Sequence, residues 1–291
     1  MERETCTKEP TMAEAAAQYE IATRLGFFFT VLAVMAAWEM AAPRRALTQP
    51  RRFRWPANLG IVVLNTVLVR LLLPLAPFSF AALAEARGWG LFNLIAAPGW
   101  LAIAASVVML DLVIYLQHAM FHAVPVLWRL HRMHHADLDF DVTTGARFHP
   151  IEIVLSAILK MAVIALTGAP AMAVLTFEVV LNATAMFNHA NVGLGARLDR
   201  VLRWIVVTPD MHRVHHSVHV DEANSNFGFN LPWWDRLFGT YRNQPRDGHV
   251  GMTIGIEQFR EPSALHLHRM LAQPFIGAAG PYSKGRSDES G

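Results

Sequence analysis

Histidines cluster at three places in this sequence, at spacings that suit metal binding. The clusters are His118-x-x-x-His122, His131-x-x-His134-His135 and His212-x-x-His215-His216. Positions i, i+3 and i+4 share one face of an α-helix, so each cluster could aim two or three imidazoles at one point. Eight histidines exceed the four ligands of a structural zinc site and suit two metal ions instead. Neutral imidazole binds zinc, copper, iron and nickel alike, so ligand type does not choose the metal.

Two single histidines extend this set. His189, in FNHAN, is favoured as a further ligand, whereas His149, before Pro150, is predicted with equal weight to be a ligand or a hydrogen-bonding neighbour of one. The remaining histidines have no partner at metal-binding spacing and are expected to be ordinary surface or core residues: His219, His249, His266 and His268.

Charged residues surround the clusters. Five aspartates could orient the ligand rings by accepting N–H bonds, although solvated loop acids or helix caps fit each of them equally well. Arg132 and Arg213 lie inside two clusters and are expected to be solvated, with lipid headgroup phosphates or acidic partners as the alternative. Thr208 and Pro209 provide an N-cap and a first helical residue, so the third cluster is predicted to begin its own helix. The five aspartates are Asp137, Asp139, Asp141, Asp210 and Asp235.

The composition places these clusters in a membrane protein. Of the 291 residues, 53% are hydrophobic and 16% charged, and the mean hydropathy is +0.28. A soluble domain is seldom so apolar. The net charge of +2 is close to zero, so no nucleic-acid partner is expected. The single cysteine, Cys6, excludes an intrachain disulfide.

Five apolar runs could form membrane helices that bring the histidine clusters to the same membrane surface. The first three are long enough to span a bilayer, and Pro98 and Gly99 predict that the continuous third helix begins near Trp100. The last two are shorter, are joined by a turn at 167–170, and include Lys160, so this hairpin fits either a full crossing or a re-entrant loop. The runs cover residues 21–42, 57–75, 91–116, 151–166 and 171–186.

The loop between the first two runs sets the predicted orientation. It carries five arginines and no acid, as short cytoplasmic loops do, so the N-terminus is expected outside and all histidine clusters on the cytoplasmic side. The acidic residues before the first run argue for a membrane anchor over a cleaved signal peptide, which stays the alternative. Residues 77–90 are expected to form an outer loop. The five arginines are Arg44, Arg45, Arg51, Arg52 and Arg54.

The predicted fold is an all-α membrane protein of four to five transmembrane or re-entrant helices, with a cytoplasmic helical cap that holds a histidine-rich di-metal site. The cap is expected to comprise residues 118–150 and 189–278, and residues 281–291 are expected to be disordered. The predicted organisation is a polar segment (1–20), N-terminal transmembrane helices (21–110), a catalytic domain with the membrane hairpin (111–242) and a cytoplasmic tail (243–291).

The motifs around the histidines resemble those of a known family. HAMFH, HRMHH and HRVHH, in this order around a hydrophobic hairpin, resemble the histidine boxes of the fatty acid hydroxylase/sterol desaturase superfamily. ARFHPIE at 146–152, FNHAN at 187–191 and HHSVHVDEANSNFGFNLPWWDRLFGTY at 215–241 look like its spacer and closing motifs. The similarity covers residues 111–241. The three residues between the histidines of the first box favour this family over acyl-CoA desaturases.

The resemblance implies a di-iron centre that activates O2 to hydroxylate or desaturate a C–H bond of a lipid in the membrane. It also implies a separate electron donor, a reductase, ferredoxin or cytochrome-type carrier, since the chain shows no haem motif and no nucleotide-binding glycine fingerprint. The matching ligands are His118, His122, His131, His134, His135, His189, His212, His215 and His216.

Two other functional classes remain. A zinc-dependent membrane hydrolase or a non-catalytic metal-binding protein would also use the clusters, but the chain has no HExxH motif and no glutamate inside a box to act as a general base. A metal transporter would need ionisable residues along its spans. Few are present: Arg70, Asp111, Glu152, Lys160 and Glu178.

Overall fold

The computed structural model describes residues 12–283, with side chains from residue 19 onward. This part of the chain is α-helical, and its only β-type pairings are two isolated bridges. The predicted all-α class is confirmed. Cys6, most of the acidic N-terminal segment and residues 284–291 of the predicted disordered tail lie outside the described residues. The long helices are α1 (Met12–Ala41), α2 (Arg51–Leu72), α5 (Gly99–Ala123), α7 (Pro150–Thr167) and α8 (Ala171–Asn188).

Five stretches of the described chain are long and apolar enough to cross a membrane, one for each predicted run. The chain is therefore a multi-pass integral membrane protein. Its first helix starts earlier than the apolar run, because the alanine-rich residues after Met12 are good helix formers. The stretches are Tyr19–Ala41, Arg51–Leu94, Gly99–Ala123, Pro150–Thr167 and Ala171–Asn188.

The prediction that residues 77–90 form a loop is wrong. Most of it is helical, as α3 (Pro77–Ala86), which is followed by the short α4 (Leu91–Leu94). Proline suits the first position of a helix, and the small Ala81 and Ala84 are fully buried where α3 packs against α7 and α8. A Cβ on Gly90 would lie 2.0 Å from the backbone nitrogen of Gly168, so two glycines are needed where this segment meets the hairpin.

The third span and the hairpin follow the sequence closely. Pro98 precedes α5, which begins at Gly99, so the predicted break is confirmed. α7 and α8 are joined by the predicted turn, where Gly168 has a left-handed φ of 70°. Each arm has 18 residues, which corresponds to about 27 Å of helix, close to the thickness of a hydrocarbon core.

Charged residues inside the bundle are paired with one another. Lys160 Nζ lies 2.6 Å from Glu178, whose other carboxylate oxygen lies 3.0 Å from Arg24. Arg24 also contacts Glu20 at 2.7 Å. Two positive and two negative side chains thus compensate each other between α1, α7 and α8, as charges in a membrane interior require.

A cap of shorter helices covers the end of the bundle where α5 and α8 finish and α7 starts. The segment after residue 243 is folded and packs against α6. Arg132 of α6 is fully buried there and donates to the carbonyls of Gln273, Ile276 and Ala278. The prediction of a solvated Arg132 is wrong. The cap helices are α6 (Pro125–His135), α9 (Ala196–Leu202), α10 (Pro209–His215), α11 (Val220–Ala223), α12 (Trp233–Leu237), α13 (Gly248–Gly251) and α14 (Leu267–Ala272), with 3-10 turns at Thr144–Ala146, Pro262–Leu265 and Gln273–Phe275.

The last described residues are ordered, in contrast to the predicted disorder from residue 281. Tyr282 is fully buried and stacks on Trp128 of α6, with 5.5 Å between ring centroids. Its hydroxyl donates to the carbonyl of Val218 at 2.8 Å. An aromatic anchor therefore ties the C-terminal segment to the helix that bears the second histidine cluster.

Candidate metal centre

Four helix ends bring the histidines together. The first cluster occupies the last two turns of α5, and the chain reverses at Val124 and Pro125 so that α6 delivers the second cluster from its C-terminal half. α10 carries the third cluster, and Thr208 caps it by accepting a hydrogen bond from the Met211 amide at 3.3 Å, as predicted. His189 caps the C-terminus of α8.

Nine histidines form two compact groups. All are buried, and in each group the candidate ligand nitrogens lie within 4.8 Å of one another. We call the first set group A and the second group B. Group A comprises His118, His122, His131, His135 and His215, and group B comprises His134, His189, His212 and His216. The first cluster lies wholly in group A, whereas the second and third clusters are divided between the groups, since neighbouring histidines such as His134 and His135 face different ones.

The nitrogens of group B converge on His189. Its Nε2 lies 3.1 Å from Nε2 of His134, 3.1 Å from Nε2 of His212 and 3.2 Å from Nε2 of His216. Its Nδ1 is 2.7 Å from the carbonyl of Ala185, so the ring proton lies there and Nε2 presents a lone pair. A hydrogen bond could satisfy such a lone pair with one neighbour, whereas three neighbours at this distance fit a shared cation.

Group A shows the same close approach of ring nitrogens. Nε2 of His118 lies 3.0 Å from Nε2 of His131, and Nε2 of His122 lies 3.1 Å from Nε2 of His135. Nitrogens about 2.0–2.1 Å from one metal are about 2.9 Å apart at a right angle and about 3.4 Å apart in a tetrahedron. The buried Nε2 of His215 has no hydrogen-bond partner in the described chain. Both groups therefore fit a metal ion.

Four of the nine far ring nitrogens have a hydrogen-bond partner, and three of these partners are backbone carbonyls. The other five have no partner in the described chain: Nδ1 of His122, His134, His135, His212 and His216. Nδ1 of His118 donates to Phe227 and Nδ1 of His215 to Ser225, each at 2.7 Å. His131 differs, because its Nδ1 lies 2.8 Å from the buried carboxylate of Glu152 on α7. Such bonds fix the tautomer that leaves Nε2 free to bind metal.

The five aspartates do not perform this role. Asp137, Asp139 and Asp141 accept bonds from other side chains and from backbone amides, and Asp210 pairs with the buried Arg213. Asp235 accepts from the amides of Phe227 and Gly228 and thereby holds the carbonyl that orients His118. The sequence interpretation missed Glu152 as the acid that orients a ligand, and it wrongly placed Arg213 in solvent.

Burial keeps the imidazoles neutral. It lowers the pKa of His131 and of His189 to about 3. Burial also lowers the pKa of His135 and His216 well below the ordinary value, and neighbouring imidazoles add to the effect, because a second positive ring would repel the first. A neutral imidazole is the metal-binding form, so burial keeps these histidines in the form that binds metal at neutral pH.

Aromatic rings surround the groups. Phe148 stacks on His134 at 4.4 Å between centroids, and Phe140 stacks on His189 at 5.4 Å. Phe227 contacts group A, and its ring centroid is 5.1 Å from that of His122. These apolar walls exclude bulk water from a set of strongly polar nitrogens, which strengthens electrostatic interactions inside.

A buried arginine from the N-terminal half supports the second cluster. Arg54 of α2 is fully buried and binds both oxygens of Asp137, at 2.8 and 2.7 Å, and one oxygen of Asp141 at 2.5 Å. Burial alone would raise the pKa of Asp137, but Arg54 and Arg147 hold it well below its usual range. Sequence reasoning assigned Arg54 only to a basic loop, since its partners lie 83 and 87 residues away.

The histidines outside the predicted ligand set lie apart from both groups. His149, whose role the sequence left open, is the N-cap of α7: Nδ1 accepts from the Ile151 amide, and Nε2 lies 3.3 Å from the carbonyl of Leu271. His219 pairs with Asp247, and His266 stacks on His268. His249 lies 3.7 Å from Asp210.

Comparison with known proteins identifies a family match in the same region. Residues 103–240 match the family model described as fatty acid hydroxylase. This segment contains all nine histidines of the two groups together with the hairpin and Glu152. No solved structure matches the chain.

Several curated proteins are similar to the chain. An ornithine lipid hydroxylase of Rhizobium tropici is 32% identical over 175 residues, which cover 60% of this chain and 50% of that protein. The human alkylglycerol monooxygenase is 29% identical, covering 64% of this chain and 40% of that protein. The human cholesterol 25-hydroxylase is 25% identical, covering 48% and 51%. The chain thus spans about half the length of these relatives or less.

Proposed function

Since residues 103–240 place this chain in the fatty acid hydroxylase/sterol desaturase superfamily, we propose that it is a membrane-bound oxygenase that uses two iron ions and O2 to hydroxylate a C–H bond of a lipid. The observation that carries the proposal is the convergence of nine buried imidazoles into two groups, with the Nε2 of His189 facing three others at 3.1–3.2 Å.

The residues of the chain prepare the site for this chemistry. When bound, iron would supply the oxidising power to break an unactivated C–H bond, which no protein side chain provides. Group A and group B would each hold one ion through neutral Nε2 atoms. Glu152 and the carbonyls of Phe227, Ser225 and Ala185 fix the orientations of four of the nine rings, and the phenylalanine walls exclude water.

A lipid substrate fits the position of the site. His118 and His122 continue α5, a candidate membrane-crossing helix, and Glu152 and His189 lie at the ends of the hairpin helices. A hydrocarbon chain in the bilayer could therefore reach the histidines along the helices. The similar proteins are named for lipids, an ornithine lipid, alkylglycerol and cholesterol. Each is named as a hydroxylase or monooxygenase, which favours hydroxylation over desaturation.

The reaction requires electrons from outside the chain. Inserting one atom of O2 into a C–H bond and reducing the other to water consumes two electrons, and the sequence carries neither a haem motif nor a nucleotide-binding fingerprint. A reductase, ferredoxin or cytochrome-type carrier would deliver them at the cytoplasmic face, because the positive-inside tendency of the basic loop favours that side for the cap.

The other functional classes have less support. A zinc hydrolase would need a carboxylate general base. Among the described residues, Glu152 is the one carboxylate that contacts a histidine of either group, and it is engaged with a ring nitrogen. A transporter would need free ionisable groups in the bundle, whereas Lys160 and Glu178 are paired.

Lipid analysis under labelled oxygen tests the proposal. Membranes of cells with and without the protein are incubated with ¹⁸O2, and the lipids are compared by mass spectrometry. We expect one lipid class to gain a single ¹⁸O atom, and only when active protein and an electron donor are present. Purified protein with tightly bound zinc and no O2-dependent product would overturn it, as would turnover from this polypeptide and O2 alone.

A further inference from the structure

A polar cavity lies beside the start of α10, outside the two histidine groups. Its volume is about 940 Å³, and it is bounded by the chain after α1, by α9 and by the segment after α12. The charged residues of its lining are four arginines and two aspartates, with His249 beside them. They are Arg44, Arg200, Arg203, Arg236, Asp199 and Asp210. Positive charge therefore exceeds negative charge by two.

Two buried side chains in the lining have unused polar atoms. Arg203 is 2% exposed, and although it pairs with Asp199 and donates to Asn243, its Nη2 has no hydrogen-bond partner in the described chain. His249 is 5% exposed, and neither of its ring nitrogens has a hydrogen-bond partner in the described chain, although Nε2 lies 3.7 Å from Asp210. Unpaired polar atoms are costly to bury, so a ligand that accepts hydrogen bonds would relieve them.

Arg236 is held rigidly at the cavity. Its guanidinium lies 4.0 Å from the ring centroid of Trp204 and 4.0 Å from that of Tyr241, so it is sandwiched between two aromatic faces. Nη2 donates to the carbonyl of Arg203, and the buried Nε has no partner. A preorganised guanidinium loses little entropy on binding an anion and can bind phosphate oxygens in pairs.

One wall of the cavity belongs to a segment that packs on a candidate membrane-crossing helix. The segment that carries Arg236 packs on membrane-crossing α5, where Trp234 donates to Asp111 at 2.8 Å and Phe238 stacks on Tyr115 at 5.4 Å. Asp111 precedes His118 by two helical turns, so this contact lies further into the apolar stretch of α5 than the histidines do. Exposed apolar residues continue the surface next to the cavity: Leu198, Val201, Trp204, Ile205, Trp233, Leu237 and Phe238.

We propose that this cavity binds the anionic phosphate headgroup of a membrane lipid. Arg44 and Arg203 pair with Asp210 and Asp199, which leaves Arg200, Arg236 and the Nη2 of Arg203 for a ligand. Together these groups can engage more oxygens than a single carboxylate offers, which favours phosphate. The exposed apolar side chains would contact the acyl chains, and arginine with tryptophan at a membrane surface is typical of lipid contact. The inference does not depend on metal chemistry, because binding uses none of the nine histidines.

A binding titration tests it in the detergent-purified full chain. Short-chain phosphatidylglycerol is added, and thermal unfolding is followed as a function of its concentration; short-chain phosphatidylcholine and inorganic phosphate serve as parallel ligands. We expect phosphatidylglycerol to raise the melting temperature most. Arg236→Gln should weaken its apparent affinity about tenfold, in line with the loss of a charge-assisted contact. Arg200→Gln should weaken it less, and since the Arg200 side chain is exposed and makes no hydrogen bond in the described chain, that variant should fold normally.

Arg197→Gln is the matched control, since Arg197 is exposed on α9 but does not line the cavity. Its affinity should equal that of the wild type. Equal weakening by Arg197→Gln would overturn the site in favour of general surface charge. Inorganic phosphate as effective as phosphatidylglycerol would overturn a lipid ligand, and the absence of any stabilisation would overturn the cavity as a binding site. All of these outcomes are read without turnover.

Discussion

The chemistry proposed for this protein depends on where single ring nitrogens point. His134 and His135 are adjacent in sequence, yet their rings join different groups, with His134 facing His189 and His135 facing His122. This division follows from helical geometry, because successive residues on α6 point about 100° apart. One short cluster can therefore supply ligands to two ions.

Removal of a single ligand should abolish the reaction and leave the fold. We expect His135→Ala and His215→Ala to lower lipid hydroxylation by more than about 100-fold, since even neighbours of metal ligands typically contribute 10- to 100-fold. Membrane insertion and expression should be unchanged, as judged by fractionation and size-exclusion chromatography. His266→Ala is the control, because His266 is exposed and lies outside both groups. An active, correctly folded His135→Ala variant would contradict its assignment as a ligand.

Glu152 should act on metal binding through His131. We expect Glu152→Leu to weaken metal binding to the purified protein by about 10- to 100-fold, because the ring of His131 loses the carboxylate that orients it. Glu152→Gln should retain part of the affinity, since its amide oxygen can still accept from Nδ1. Affinity is measured by metal titration against a competing chelator.

The exposed Glu261 provides the control for that comparison, as Glu261→Gln should bind metal like the wild type. A merely structural role for Glu152 would lower thermal stability without the graded recovery by glutamine. Wild-type metal affinity in a folded Glu152→Leu variant would show that the contact does not position the ligand.

At the scale of elements, α2 is more than a membrane anchor. Its first turn enters the cap and places Arg54 against the loop that follows α6, while Asn58 on the next turn donates to Thr143 at 3.0 Å. The loop between α1 and α2 adds amides from Thr48 and Gln49 to Asp139. Elements before residue 103 therefore hold the second histidine cluster in place.

Loss of Arg54 should destabilise the cap strongly. Arg54→Met leaves the buried carboxylates of Asp137 and Asp141 without their main cation, and breaking such a buried pair typically costs about 3–5 kcal/mol. We expect a lower melting temperature and faster proteolysis in the cap. Arg52→Met serves as the control, because Arg52 lies two residues before Arg54 on the same helix and is exposed. Equal melting temperatures for the two variants would contradict the structural role of Arg54.

The sequence was sufficient to predict the elements that have a local signature. Apolar runs, the Pro98–Gly99 break, the turn at Gly168 and the Thr208 cap all appear as predicted. Contacts between residues that are distant in the sequence could not be predicted. Nothing adjacent to Arg54 in the chain indicates Asp137, and α3 looked like a loop because its ten residues are too few to span. Glu152 lies in a hydrophobic run, where only the fold reveals that His131 faces it.

At the scale of the whole molecule, the charge distribution predicts one orientation. The loop between α1 and α2 carries the arginines and contacts the cap, since Arg45 donates to the carbonyl of Met252 at 2.8 Å. Loop and cap must therefore share one side of the membrane, and the positive-inside tendency assigns that side to the cytoplasm.

Cysteine labelling should reveal this orientation. Cys6 is the single cysteine, so a membrane-impermeant maleimide should label intact cells or spheroplasts at Cys6 and lose that labelling in Cys6→Ser. A cysteine introduced at exposed position 52 in the Cys6→Ser background, Arg52→Cys, should react only after permeabilisation. The reverse pattern would place the histidine groups on the outer side.

The most direct test of the account is the iron content of the purified protein and of two single-ligand variants. The wild type should contain two irons per chain, and His189→Ala should selectively lose the ion of group B, since the Nε2 of His189 faces all three other histidines of that group. His122→Ala should affect group A alone. One metal per chain in the wild type, or zinc in place of iron at both groups, would contradict a di-iron centre.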